Sequence, residues 1–375
     1  MPQVSYLYDF LKWRYRDHPL LERCRQTYPV MVLPATAAQI DKPESVLSTP
    51  LVRISEREDE FIIRDDTYRR QLEAAGKKIE NRLCFTFRSL QANGEISVQC
   101  GLGHYFDALD TCYALEWELL HEYARLPATG ISENAFHKLQ GRLPLREKIH
   151  LGCPDPIRSG YGRSAFIGIS VLICYRDGDE YYLWLRKRSD TTVAVDTGLF
   201  HVIPSFVFQP ATGFIEQEYS VIHNLKREYL EELFNRPEPR RDEKDFRYFY
   251  KDPGLLFLEN LIIGGLAAVH LSGIAVNLLN LRPEICLLLF IKSNDWYSYH
   301  RDNMKAEQRF HLNNEWAALG ESPGDRSAAP ERIPLSSADD MICDKFGLLP
   351  GKIAPAGAAA LWLGLDLLRL LGLRK

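Results

Sequence analysis

The run Arg227-Glu228-Tyr229-Leu230-Glu231-Glu232-Leu233 decides how this chain is read. On a helix advancing about 100° per residue, Glu228, Glu231 and Glu232 fall on one face, within an arc of roughly 100° and a rise of about 6 Å. Tyr229, Leu230 and Leu233 include the apolar anchors that would bind this helix to a sheet. Like charges about 4 Å apart repel by ~1 kcal/mol in water and ~4 kcal/mol at an effective dielectric near 20, so the face is either solvated or occupied by a cation. Mg²⁺ or Mn²⁺ suits it, because carboxylates are hard oxygen ligands and Mg²⁺ is commonly held by one or two of them plus substrate phosphates. Acidic runs of this form also occur on ordinary solvated helices, so the flanking sequence has to choose.

Upstream, Ala165–Cys174 predicts a buried strand, Asp177-Gly178-Asp179 a turn, and Glu180–Lys187 a second strand running into Leu185-Arg186-Lys187-Arg188. Phe200–Phe208 predicts a strand broken by Pro204, and a helix follows from about Glu216 to Asn235. Downstream come strand-like segments at 255–263 and 267–278, a loop at Asn280–Pro283 and the apolar strand Ile285–Ile291. This order, with the acidic run inside it, resembles the Nudix hydrolase superfamily, whose signature is G-x5-E-x7-R-E-U-x-E-E-x-G-U, U being a bulky apolar residue. With Gly213 as the first glycine, Arg227, Glu228, Glu231 and Glu232 take the signature positions and Tyr229 its first apolar slot. Tyr219 stands at the first glutamate, with Glu218 one residue earlier, and Phe234-Asn235 stand at the closing Gly-U. Val202-Ile203-Pro204-Ser205-Phe206 looks like the leader of the box without its two glycines. The likeness covers about residues 160–375, including Glu315-Trp316 and the C-terminal helix. Phe200–Glu232 with Leu281–Cys286 also looks like Nudix-related proteins of bacteria, some of them transcriptional regulators.

The resemblance implies a mixed-sheet α/β/α sandwich over residues 151–375, behind an N-terminal α+β domain, 1–150, of unassigned fold and role. It implies a divalent cation, Mg²⁺ or Mn²⁺, on Glu228 and Glu232 with Glu231 assisting, and one glutamate, Glu231 among the candidates, orienting or deprotonating the attacking water. Arg227 would fix the carboxylates by charge-assisted hydrogen bonds. The substrate would be a nucleoside diphosphate linked to a variable group, its phosphates contacted by Arg186, Lys187 and Arg188, with Glu284 as a candidate distal base. Basic residues closing a strand are also commonly just solvated, and Glu284 also reads as a loop carboxylate. A second reading keeps the fold as a sensor that binds a nucleotide-like effector without turnover, since the missing box glycines normally let the backbone turn sharply beside the helix.

Composition bounds the rest. At roughly 100–200 residues per domain, 375 residues argue for two domains, and 46% hydrophobic with 26% charged residues exclude a disordered or disulfide-stapled chain. A net charge of −4 gives no global field for nucleic acid. The alternating aromatics and cations of Tyr6–Arg16 offer a nucleic-acid surface, against which Leu7, Phe10 and Leu11 spell an amphipathic helix. The eight cysteines are scattered without a C-x-x-C pair and read as reduced thiols of a cytoplasmic protein. Pro29–Pro50 reads as a linker or extended crossing, Phe61-Ile62-Ile63 as a strand, Leu83–Leu90 and Glu95–Cys100 as a hairpin about Asn93-Gly94, and Tyr105–Leu126 as a helix. Ala354–Leu373 is long enough to span a bilayer, but Asp366 and Arg369 interrupt it, favouring a docked helix.

Overall fold

A computed structural model describes residues 4–49, 51, 61–126, 133–189, 196–239, 243–305, 308–316 and 331–373. Its strands are β1 (Leu20–Arg23), β2 (Gln26–Pro34), β3 (Leu83–Gln91), β4 (Ser97–His104), β5 (Gly168–Asp177), β6 (Glu180–Lys187), β7 (Phe200–Val202), β8 (Ser205–Val207), β9 (Ala267–Asn277), β10 (Arg282–Ile291) and β11 (Glu331–Pro334). Its helices are α1 (Val4–Arg14), α2 (Thr67–Ala74), α3 (Tyr105–Ala108), α4 (Ala114–Ala124), α5 (Glu133–Gln140), α6 (Pro144–Gly152), α7 (Ile215–Glu218), α8 (Val221–Phe234), α9 (Pro253–Ile263), α10 (Asp295–Asp302), α11 (Ala338–Asp340) and α12 (Pro355–Leu370).

The fold is mixed α+β, built on a mixed sheet of order β1-β2-β9-β10-β5-β6-β11, with β7 paired to β6 and β8 to β5. β5 and β10 run parallel at the centre, Glu284 opposite Gly168 and Ile291 opposite Tyr175, and both are apolar on both faces as doubly covered strands must be. Along β5, Ile169, Val171, Ile173 and Tyr175 enter one core with Tyr229, Leu230 and Leu233 of α8 and residues of α1, α9 and α10. Leu172 and Cys174 enter the other, under Leu361, Leu365 and Leu368 of α12. The two-residue period of a strand thus assigns alternate side chains to the two helical layers. Helix α12 is docked as expected: Arg369 donates to Asp366 at 2.8 Å and Arg23 to Asp366 at 2.5 Å. Among the described residues, no helix is long and apolar enough to cross a membrane.

Several expectations need correction. Residues 255–263 are helical, because Pro253 at the first turn and Asp252, whose side chain accepts from the Gly254 N–H at 2.8 Å, start a helix that the mostly apolar run leaves ambiguous. The expected linker after Pro29 opens inside β2, which lies between β1 and β9 in the sheet; its prolines leave Tyr28 and Val30–Leu33 free to supply the strand. Phe61-Ile62-Ile63 is irregular, although Ile63 is buried. The β3–β4 hairpin and the helical stretch from Tyr105 stand as read, the latter with a π turn at Leu109–Tyr113. In α1, Leu7, Phe10 and Leu11 are buried, while Lys12 pairs with Glu22 and Arg14 with Glu147. Through β1 and β2, the first 150 residues share the sheet with β9.

Two cysteines also depart from the reduced reading: Cys24 and Cys343 form a disulfide across 319 residues, tying the β1–β2 turn to the segment before α12. Titrating thiols in denaturant should therefore find the six free cysteines before reduction and all eight after it. Eight before reduction would show the pair open.

Candidate active site

Helix α8 starts where the expected long helix breaks. Ser220 caps it, its hydroxyl accepting from the His223 N–H at 3.1 Å, and the Glu44 carboxylate accepts from the N–H groups of Val221 at 3.0 Å and Ile222 at 2.8 Å. An anion at a helix N-terminus is favoured by the exposed N–H groups and the macrodipole. Asn235 ends the helix in the left-handed region, φ 51°, a conformation asparagine tolerates better than most residues. Tyr229 anchors the buried side, its hydroxyl accepting from Trp296 Nε1 at 3.0 Å.

The acidic face is not solvated: Glu228, Glu231 and Glu232 are only 8%, 7% and 2% exposed. Arg227, 2% exposed, bridges two of them, placing Nη2 2.9 Å from Glu228 Oε1 and Nη1 3.2 Å from Glu231 Oε1. Glu232 is held otherwise. Its Oε1 accepts from the Ser205 N–H at 2.9 Å and its Oε2 from Trp316 Nε1 at 3.0 Å. Burial pushes the carboxyls of Glu228 and Glu232 well above the usual range and raises Glu231, against the pull of Arg227 on Glu228 and Glu231.

These three carboxylates line a cavity of about 520 Å³ together with Arg188, Arg282 and Glu284. Arg188 lies over the Trp316 ring at 5.2 Å and reaches Glu315 at 3.1 Å, so the Glu315-Trp316 pair is drawn to the site. Arg186 is buried and does not line the cavity, nor does Lys187; of the three expected phosphate-contacting residues, only Arg188 does. Arg282 lies 3.9 Å from the Phe166 ring centre and 3.6 Å from Glu284. Glu284 accepts from the Ser170 hydroxyl, and burial pushes its carboxyl up from 4.5 to about 7.

Gly168, opposite Glu284 in the register, has a steric rather than a conformational reason: a methyl there would overlap the Glu284 carboxylate. Gly168→Ala should therefore displace Glu284 and move its titration, read by carboxyl-carbon NMR; an unmoved midpoint would show that the strand yields instead. Gly213, by contrast, has open space around it and no left-handed φ, so nothing in the backbone requires a glycine at the head of the box spacing. Glu218 stays out of the cavity; its buried carboxylate holds the preceding loop, accepting from Ala211 and Thr212.

Sequence reasoning missed the wall supplied by the first 150 residues: Lys78, Arg82, Tyr105 and Tyr113 line the same cavity. It also missed Asp196, His201 and Ser205 as lining residues. Only tertiary contact brings these groups to α8, so no local spacing could mark them.

Among the described residues, no three His, Cys, Asp or Glu side chains converge as a metal-binding group. The donor set nevertheless fits a hard divalent cation in kind. Glu228 and Glu231 each meet Arg227 through Oε1, and Mg²⁺ needs only one or two carboxylates when substrate phosphates complete its shell. No protein-family model matches the chain, and no curated protein matches it.

Proposed function

We propose that the chain is a Nudix-type hydrolase that cleaves a nucleoside diphosphate linked to a variable group, with Mg²⁺ or Mn²⁺ held by Glu228 and Glu231 and by any lone pair Glu232 spares. The observation that carries this reading is the joining, in one cavity, of three buried carboxylates from α8 with Arg188, Arg282 and a carboxyl, Glu284, poised near neutrality. Buried carboxylates so crowded are costly without a cation, and phosphates are the partners such arginines fit. On this reading, the α8 layer and the α12 layer are the two helical faces of a Nudix sandwich.

The cation would neutralise charge on the leaving phosphate and ease deprotonation of the attacking water. Arg188 and Arg282 hold phosphate oxygens. Glu284 accepts the proton of the attacking water, a task that a carboxylate titrating near 7 performs at neutral pH. Arg227 orients Glu228 and Glu231 and favours their ionised forms against the burial that raises both. Tyr105 and Tyr113 present ring surface to the rest of the substrate.

A second reading, effector binding without turnover, has its own support. Both oxygens of Glu232 already accept N–H bonds, and Gly213 performs no turn. Purified protein assayed with Mn²⁺ against a panel of nucleoside diphosphate derivatives separates the two. Cation-dependent release of two phosphate-ended products is expected. Absence of turnover across the panel, with metal-independent binding of one member, would leave the sensor.

A further inference from the structure

Three buried side chains, Glu284, Ser170 and His201, and the half-buried Ser205 form a chain beside the cavity. Glu284 Oε1 meets the Ser170 hydroxyl, Ser170 Oγ lies 3.2 Å from Ser205 Oγ, and Ser205 Oγ lies 3.3 Å from His201 Nε2. The fold builds it: Ser170 of β5 and Ser205 of β8 are cross-strand partners, and Gly357 of α12 packs against His201, where a methyl would sit 3.0 Å from Cγ.

His201 Nδ1 lies 3.1 Å from the Val202 carbonyl oxygen, which can only accept, so Nδ1 carries the imidazole hydrogen and Nε2 is bare. The Ser205 hydroxyl then donates to Nε2. Its spacing looks like a nucleophile beside a base, but burial and Arg188 push His201 down to about 3, too weak a base to activate a hydroxyl at neutral pH. The orientation matters instead. With Ser205 donating to His201, Ser205 Oγ is an acceptor for Ser170, and Ser170 Oγ becomes an acceptor for Glu284. Such a run of donors is complete only when Glu284 carries a proton. When Glu284 is ionised, the single Ser170 hydrogen turns to it and the Ser170–Ser205 link has no hydrogen.

We propose that Ser170, Ser205 and His201 are positioning residues that ready Glu284 to receive and hold a proton. The inference rests on the proposed role of Glu284. In the step it serves, an O–H bond of the attacking water breaks and the proton passes to Glu284. The electron pair stays on the water oxygen and forms the new P–O bond, while the P–O bond to the leaving phosphate breaks. Ser170 then rotates from Glu284 to Ser205. The charged groups facing Glu284 are Arg282 on its own strand, Arg188 just after β6, and Asp196 before β7; Ser170 of β5 supplies a side-chain hydrogen bond.

The test reads Glu284 directly, in full-length protein carrying ¹³C-carboxyl glutamate, by its pH titration in carbon NMR, with Glu284→Gln assigning the resonance. Ser205→Ala should lower the midpoint by roughly 0.4–1 pH unit, the worth of one neutral hydrogen bond. Ser205→Thr, which keeps the hydroxyl, should restore it. His201→Leu, which removes the far acceptor, should move the midpoint the same way and stands in for Ser205→Ala if that variant does not fold. A midpoint unmoved in the folded variants overturns the proposal. The readout needs no turnover, so failure of the chain and failure of the hydrolase reading are separate results.

Discussion

Arg227→Met is expected to cost about 3–5 kcal/mol of folding free energy at pH 7, read from urea unfolding, the usual penalty for removing one partner of a buried ion pair. The guanidinium is almost wholly enclosed and its two ends serve Glu228 and Glu231. Without it, Glu228 and Glu231 remain buried in the cavity wall with no directly paired cation, and burial already pushes both upward. The loss should therefore shrink in acid. A carboxyl whose folded pKa exceeds its unfolded one binds more protons when folded, so its contribution is fully present below the unfolded value and falls away as pH rises through the folded one. Wild-type protein should show the same sign between 4.5 and about 7 from Glu284 and Glu116, both raised by burial. Adding Glu228→Gln and Glu231→Gln to Arg227→Met should recover much of the loss. A cost under about 1 kcal/mol, the scale of an exposed pair, would mean that the carboxylates do not depend on Arg227.

What could be read in advance divides by range along the chain. The β5–β6 hairpin, β10 and the acidic helix carry their own signals: an apolar run, a turn with Gly178 at φ +65°, and carboxylates at helical spacing over apolar anchors. Helix α9 was misread because Leu255–Ile263 is nearly all apolar, so its period is silent and the start signal at Asp252-Pro253 decides. β2 was misread because Pro29 stands inside it and Pro34 closes it, while what makes it a strand is pairing with β9 some 240 residues later. The site follows the same rule. Glu228, Glu231 and their Arg227 clasp lie within five consecutive residues and were legible. Glu232 is fixed by Ser205 and by Trp316, 84 residues away, and the aromatic wall comes from before residue 115. Cys24 and Cys343 are the extreme case, since nothing local distinguishes them from the other six.

Glu284→Gln should lower kcat by roughly 10²–10⁴-fold on whichever nucleoside diphosphate derivative the wild type turns over, the range for loss of a general base. The wild-type rate should fall on the acid side of about 7, where Glu284 becomes protonated and can no longer accept a proton from water. In Glu284→Gln that acid limb should vanish along with most of the rate, because the amide does not titrate in this range. Glu231→Gln/Glu232→Gln tests the other wall and should fail differently. It leaves Glu284 and its limb in place but removes two carboxylates from α8, so turnover should collapse and its dependence on Mn²⁺ should weaken. Paired kcat and KM measurements separate the walls further. Loss of the base should fall on kcat, whereas Arg188→Ala, which loses a cavity cation stacked on Trp316, should raise KM for the phosphate-bearing substrate. Equal turnover by wild type and the Glu231→Gln/Glu232→Gln variant would place the chemistry elsewhere, and an acid limb that persists in Glu284→Gln would assign the base to another of the raised carboxyls, with Asp196 the first candidate on the cavity wall.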